Sequence, residues 1–455
     1  MLNRAALFIE RTFNVRRDEL APVLTSAVFF FCILTALMIL RPARDALGMQ
    51  SGMDSIRWLF IGTAVVTLAV NPLFGWLVSR YTRLSFITAT YCFFALSLLA
   101  FYGLLVFTPE AVGTASGMVF YVWFSVFNLF VTMVFWALMV DRFSLPQSKR
   151  FFALIAAGGT GGAIFGPFLA SRLAEPLGTP ALLLIAIAFL LLGVVAAWFV
   201  VHLQTERQDT SANAEQNPDA PPPISEHNVI GGSPWEGIKA IVASRYLMGI
   251  ATYVIIMAVM ATFIYFTRLN IVAALVDDTN SRTALLANID FYTQLATLAL
   301  QLSLTGHLMR RVGVHVALVL LPITVALGFI GLAIAGTMTA FILLDASFRA
   351  VQRGITRPAR ETLYTVVSRE DKYKAKAVID TFFYRAGDVV GAQTEGLLAR
   401  LGMGVAALTV TVLPLAVVWG ALGLWLGRTQ ARKLLQPSEP EPSEPESEEI
   451  HHGNH

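Results

Sequence analysis

Five charged residues recur at intervals of four within one otherwise apolar stretch: Asp345, Arg349, Arg353, Arg357 and Glu361. On a helix of 3.6 residues per turn each step of four drifts by about 40°, so neighbours stack while the ends of the row diverge. Gly354 and Pro358 are placed to kink the helix there. A charge at mid-bilayer costs at least about 2.5–3.5 kcal/mol, so three arginines in a spanning stretch demand compensation. Asp345 and Glu361 stand four residues from Arg349 and Arg357 and can pair with them. Arg353 has no such neighbour on its own helix. Guanidinium groups grip phosphate or carboxylate oxygens with paired hydrogen bonds. The row reads either as a buried ion-pair ladder or as the lining of an anion-binding cavity, and three cations against two carboxylates favour the cavity.

The next apolar stretch carries Asp380, Tyr384, Arg385, Asp388, Gln393 and Glu395. Asp380, Tyr384 and Asp388 share one broad helical face. Their carboxylates are candidate proton acceptors and equally candidate partners of the neighbouring arginines. Asp290, Gln294 and Gln301 form another polar stripe, and Asn128, Trp136 and Asp141 a sparser one. Trp136 and Tyr384 could stack on a ligand ring, although aromatics in membrane helices also pack at interfaces. Gly158, Gly159, Gly161, Gly162 and Gly166 lack the following Gly-Lys-Ser/Thr and the preceding strand of a phosphate loop. Their spacing of four instead predicts a smooth face for close helix packing. No pattern of nucleophile, metal ligands or cofactor motif is present, so neither an enzyme nor a cofactor is expected.

These residues need a frame, and the composition supplies it. The chain has 455 residues, 56% hydrophobic and 14% charged, against about 25% charged in a soluble domain. Such a balance excludes an ordinary soluble enzyme, a disordered scaffold and a disulfide-built domain. A net charge of +3 excludes nucleic acid as the natural partner. Cys32 and Cys92 both lie in apolar runs and read as packing residues. Helices of about 20 apolar residues span a bilayer. Twelve runs qualify: 21–41, 56–79, 84–107, 115–140, 151–171, 180–203, 246–267, 284–305, 315–336, 338–366, 375–399 and 403–427. The last three are read as the least hydropathic.

An all-α membrane protein of twelve transmembrane helices in two six-helix halves follows. Its parts are an amphipathic N-terminal segment (1–20), an N-terminal half (21–203), a cytoplasmic linker with three consecutive prolines (204–234), a C-terminal half (235–433) and a disordered acidic tail (434–455). The tail histidines His451, His452 and His455 read as solvated rather than as a metal site. The first apolar run is long enough to remain a span rather than a cleaved leader. Of the 33 lysines and arginines, most fall on the segments shared with both termini, which predicts both termini in the cytoplasm.

Two short turns match at a fixed offset: Gly75, Leu77 and Arg80 stand 231 residues before Gly306, Leu308 and Arg311. Parallel six-helix repeats joined by a polar linker resemble the major facilitator superfamily, and these turns resemble its G-x-L-x-D-R-x-G-R gating loop. Ser79 and Arg310 stand where that loop has its acid. A narrower resemblance lies in Arg41-Pro42-Ala43-Arg44-Asp45 and Arg357-Pro358-Ala359-Arg360-Glu361, similar to segments of the nucleotide transporter (ATP:ADP antiporter) family. Lys149-Arg150-Phe151-Phe152 and the segment from Lys374 through Lys376 to Asp380 are similar to the same family. In that family the second basic residue of each pair is a lysine implicated in transport. The matching positions here are Arg44 and Arg360, and arginine keeps the charge while changing the phosphate geometry.

The resemblance implies a secondary transporter of an anionic solute, plausibly a nucleotide or phosphorylated metabolite, working by exchange in a bacterial inner membrane. Arg44, Arg349, Arg353, Arg360, Arg385, Trp136 and Tyr384 would then face substrate. Asp45, Asp345, Glu361, Asp380, Asp388 and Asp290 would hold the arginines when unloaded. The expected partners are a small anionic solute and the lipid bilayer, with protons as a possible coupling ion and a monomeric assembly. Proton symport of another organic anion stays open on these residues, as do a non-transporting sensor and a lipid-handling protein.

Overall fold

The computed structural model describes residues 17–80, 83–212, 234–308, 313–402 and 405–435. The expected N-terminal segment up to residue 16, the connector at 213–233, the turn holding Arg311 and the tail from 436 lie outside the described residues, as do the side chains of Gly75, Arg80 and Gly306. The rest is helical. Each expected apolar run falls in one rod: α1 (Arg17–Met49), α2 (Met53–Arg80), α3 (Arg83–Phe107), α4 (Glu110–Arg142), α5 (Leu145–Leu177) and α6 (Thr179–Ala212). A short α7 (Pro234–Ala243) then precedes α8 (Arg245–Leu275), α9 (Thr279–Leu308) and α10 (Val314–Ala335). The tenth rod is α11 (Met338–Val351) continuing into α12 (Arg357–Leu363), the eleventh α13 (Arg369–Val378) continuing into α14 (Tyr384–Arg400), and the last α15 (Val405–Leu435). The sixth rod runs past the expected boundary at 203, because His202 through Gln208 interrupt the apolar character without interrupting helix propensity.

Among the described residues nine rods are long and apolar enough to cross a membrane by length and composition. The three that fall short are α9, α11–α12 and α13–α14. This corrects the sequence reading in one place: α15 qualifies, and α9, with Arg282, Asp290, Gln294 and Gln301, takes its place among the weak spans. Charged and amide side chains within the spans lower the mean hydropathy of all three.

Within the first half α1 packs against α5, α6 and α4. The α1–α5 contact is backbone on backbone. A Cβ on Gly158, Gly162 or Gly166 would collide with the carbonyl oxygens of Ala27, Phe31 and Thr35, so glycine is required for helices this close. The second half repeats the device between α8 and α14, where a Cβ on Gly387 would sit 2.7 Å from the Ile255 carbonyl oxygen and one on Gly391 2.9 Å from Thr262 Cβ. Gly158 and Gly162 precede Gly387 and Gly391 by the same 229 residues, so the repeat seen in the turns extends into the packing.

Phenylalanines fill the first half: Phe30 stacks on Phe135 with ring centroids 4.2 Å apart, and Trp123 on Phe127 at 5.1 Å. The second half is built around α8, whose residues Tyr246 to Val272 are mostly buried, chiefly against α14 and α15. The halves meet where α9 lies along α5 and α1, and α14 along α2. Part of that seam is a buried patch of small side chains: Ala43, Ala170, Ala174, Ala284 and Ala287.

Candidate functional site

At Gly354 and Pro358, where a kink is expected, the regular α-helix of the tenth rod is interrupted. It widens into a π turn over Gln352–Thr356, in which the Arg357 N–H reaches back five residues to the Gln352 carbonyl. Pro358 has no N–H to bond Gly354, so the turn before it is free to expand. The extra residue cancels the drift of the charged row. Eight residues of α-helix would set Arg357 about 80° from Arg349, whereas one inserted residue leaves about 20°. The eleventh rod repeats this over Ile379–Phe383, with the Tyr384 N–H bonded to the Ile379 carbonyl. There the Thr381 hydroxyl takes the Ala377 carbonyl at 2.6 Å, the bond that the Thr381 N–H would otherwise make. Asp380, Tyr384 and Asp388 are thereby drawn onto one line.

The charges divide into two groups. The first is buried near the end of the bundle that carries the turns at 50–52, 178 and 276–278. Asp45, fully buried, accepts from Arg44 Nε at 2.8 Å, from the Tyr265 hydroxyl at 2.8 Å and from Arg268 Nη2 at 2.5 Å. Arg268 reaches on to Asp290 at 2.7 Å. Arg349 grips both oxygens of Asp345 at 2.8 Å and approaches Asp290 at 3.5 Å, while Arg41 stands 3.8 Å from Asp290. This chain joins α1 of the first half to α8, α9 and α11 of the second. A further clasp sits beside it: buried Arg57 bonds Glu395 at 2.8 Å and Asp54 at 2.6 Å, and Asn270 donates to Glu395 at 2.9 Å. Gln50 to Thr279 at 2.9 Å and Thr179 to Asn280 at 2.7 Å complete this end. Every polar tie between the halves that joins two described residues lies here.

The second group lines open space. Two chambers of about 590 and 520 Å³ share Asn128, Arg353, Tyr384 and Arg385 as walls. The larger adds Arg357, Arg360 and Asp380; the smaller adds Arg41, Arg44, Tyr121, Tyr265 and Asp388. Arg360 pairs with Asp380 at 2.9 Å and Arg385 with Asp388 at 3.1 Å. Arg353 and Arg357 are both exposed in the cavity, and among the described residues no carboxylate lies within 4.0 Å of either. Glu361, expected opposite Arg357, binds Lys376 at 2.5 Å instead, so the row has two free cations where the sequence predicts one. The smaller chamber has an aromatic side, with the Arg44 guanidinium 4.5 Å from the Tyr121 ring centroid and 5.1 Å from that of Phe124. A cavity with six arginines and two aspartates on its walls can hold a solute bearing several anionic oxygens, with a ring surface nearby.

Of the residues expected to face substrate, Arg44, Arg353, Arg360, Arg385 and Tyr384 line the chambers. Arg349 does not. It is held in the buried chain by Asp345 and Asp290. Trp136 lies away from the lining, packed edge-on against Phe30, Phe135 and Phe152 with centroids 5.2–5.4 Å apart. Of the expected counter-charges, Asp45, Asp290 and Asp345 belong to the buried chain, Asp380 and Asp388 to the cavity, and Glu361 to Lys376. Arg268, Tyr265, Tyr121 and the Arg57–Glu395 clasp escaped the sequence reading. The seventh run was ended at 267, which made Arg268 a loop residue; the helix continues to Leu275 and buries it at 1% exposure. Arg44, beyond the expected run 21–41, likewise stands within α1.

Comparison with known proteins fits this geometry. The model of the Major Facilitator Superfamily matches residues 20–359. The ADP,ATP carrier protein 1 of Chlamydia trachomatis is 22% identical over 89% of this chain and 88% of its own length. The protein of the same name from Chlamydia muridarum is 23% identical over the same shares. Among solved structures, a mutant of the nucleoside transporter NupG superposes with a TM-score of 0.58 at 13% identity, covering 90% of this chain and 99% of that one.

Proposed function

Since the chain belongs to the major facilitator superfamily of membrane transporters, we propose that it exchanges an anionic organic solute, a nucleotide or another phosphorylated metabolite, across a bacterial inner membrane by alternating access. The observation that carries this reading is the pair Arg353 and Arg357, free of carboxylates in a cavity between the halves. Their charges disfavour a dry, occluded and unloaded state, because no carboxylate among the described residues neutralises them as water leaves. A loaded solute brings the missing negative charge, and exchange follows: the carrier reorients loaded and stalls empty. Arg360 and Arg385 would release Asp380 and Asp388 to take further oxygens, giving two states of similar energy. The names of the chlamydial relatives support a nucleotide, as does the ring surface of Tyr121 and Phe124. With both termini in the cytoplasm, the tied end faces outward and the cavity belongs to an inward-facing state.

Purified protein in sealed liposomes tests this. Saturable uptake of labelled ATP or ADP, dependent on an internal anion and lost in Arg353→Ala and Arg360→Ala, is the expected result. Uptake indifferent to both substitutions would sink the site assignment. Proton symport is the second reading, favoured by the Asp380 and Asp388 carboxylates on the cavity wall; uptake without internal anion, abolished by a protonophore, would select it.

A further inference from the structure

A third space opens off both chambers. It is an alcove of about 170 Å³ lined by Arg41, Arg268, Arg349 and Arg353, with Ile264 and Phe348 as its apolar walls. At about 30 Å³ per water it admits a small hydrated ion and is well below the 300–1,000 Å³ of an organic ligand site. Arg268 and Arg349 are 1% and 7% exposed, yet Arg268 Nε and Arg349 Nη1 have no hydrogen-bond acceptor. Buried charged donors normally find one. The Asp345 carboxylate, also on this wall, has both oxygens engaged by Arg349. In the buried chain four guanidiniums (Arg41, Arg44, Arg268 and Arg349) face three carboxylates (Asp45, Asp290 and Asp345), so one positive charge is uncompensated.

We propose that one monovalent inorganic anion of chloride's size and charge binds in this alcove through Arg268 Nε and Arg349 Nη1, and that it reinforces the tied end of the bundle. Such an ion completes the donors of both arginines and balances the chain. It acts on the contact between halves through Arg268 and Arg349, while Arg353 stands on the wall that the alcove shares with the solute chambers, and its test does not depend on what the protein transports.

The probes are sodium chloride, sodium bromide and sodium gluconate at matched ionic strength. Thermal unfolding of the purified protein should show a saturable rise on the order of a few degrees in either halide over gluconate. Crystals grown in bromide should show an anomalous peak beside Arg268 and Arg349. Ala261→Leu, which adds bulk on the wall that the alcove shares with the smaller chamber and removes no charge, should keep the fold and abolish the halide effect. Equal melting in chloride and gluconate overturns the proposal, as does bromide density absent from the alcove or a halide effect intact in Ala261→Leu.

Discussion

Replacing Arg353 by glutamine separates the two groups of charge. Arg353 is exposed in the cavity and has no carboxylate, so removing its charge strands nothing and should leave stability within about 0.5 kcal/mol. What is lost is a charge-assisted contact to solute, worth about 1.5–3 kcal/mol. At 1.4 kcal/mol per decade this weakens anion binding by about tenfold to a hundredfold. Arg268→Gln should behave oppositely. Its two short bonds, to Asp45 at 2.5 Å and Asp290 at 2.7 Å, hold two carboxylates buried to 0% and 1% exposure. Breaking a buried pair costs about 3–5 kcal/mol because a buried charge is left alone. The assay is paired: nucleotide affinity by titration calorimetry and melting temperature, on the same detergent-purified samples. The expected pattern is affinity lost with stability kept for Arg353→Gln, and stability lost for Arg268→Gln. If Arg353→Gln melted early while binding unchanged, the division of labour drawn from the cavity would be wrong.

Other substitutions report on the frame. In a background without Cys32 and Cys92, a Gln50→Cys, Thr279→Cys pair should cross-link across the halves on oxidation, stop exchange and recover on reduction; transport by the cross-linked protein would show that this end never opens. Gly162→Leu should destabilise strongly, by about 1–3 kcal/mol or more for overpacking, with Gly387→Leu doing the same in the second half; normal melting of either would contradict the backbone contact. Glu395→Gln should lower the melting temperature by leaving Arg57 only the solvent-exposed Asp54 as a charged partner, and adding Arg57→Met should restore part of the loss, which a double-mutant cycle measures directly.

Much of this was legible in the residues. Twelve apolar runs each became one rod, because hydrophobic length is set by bilayer thickness and little else. The arginine surplus at 353 was legible from spacing alone. The π turns were not: their effect depends on which backbone bond is lost, at Pro358 and Thr381, and side-chain spacing is silent about that. The exchange of partners at Glu361 was equally hidden, since Lys376 lies beyond the turn that joins two rods. Arg268 was missed for a plainer reason. A lone arginine at the edge of an apolar run looks like a snorkelling loop residue, and only its burial between Asp45 and Asp290 shows otherwise.

The alanine patch where α5, α1 and α9 meet has its own mechanical meaning. Methyl groups make shallow ridges, so helices meeting there can roll over one another without unlocking interdigitated side chains. Inside each half, glycine-to-carbonyl contacts leave no such play. In the exchange cycle proposed above, flexing would concentrate at this seam, with the six-helix blocks tilting like two stiff leaves about a smooth spine. Bulk added at Ala174 or Ala284 would wedge that spine and shorten the swing while leaving every arginine in place.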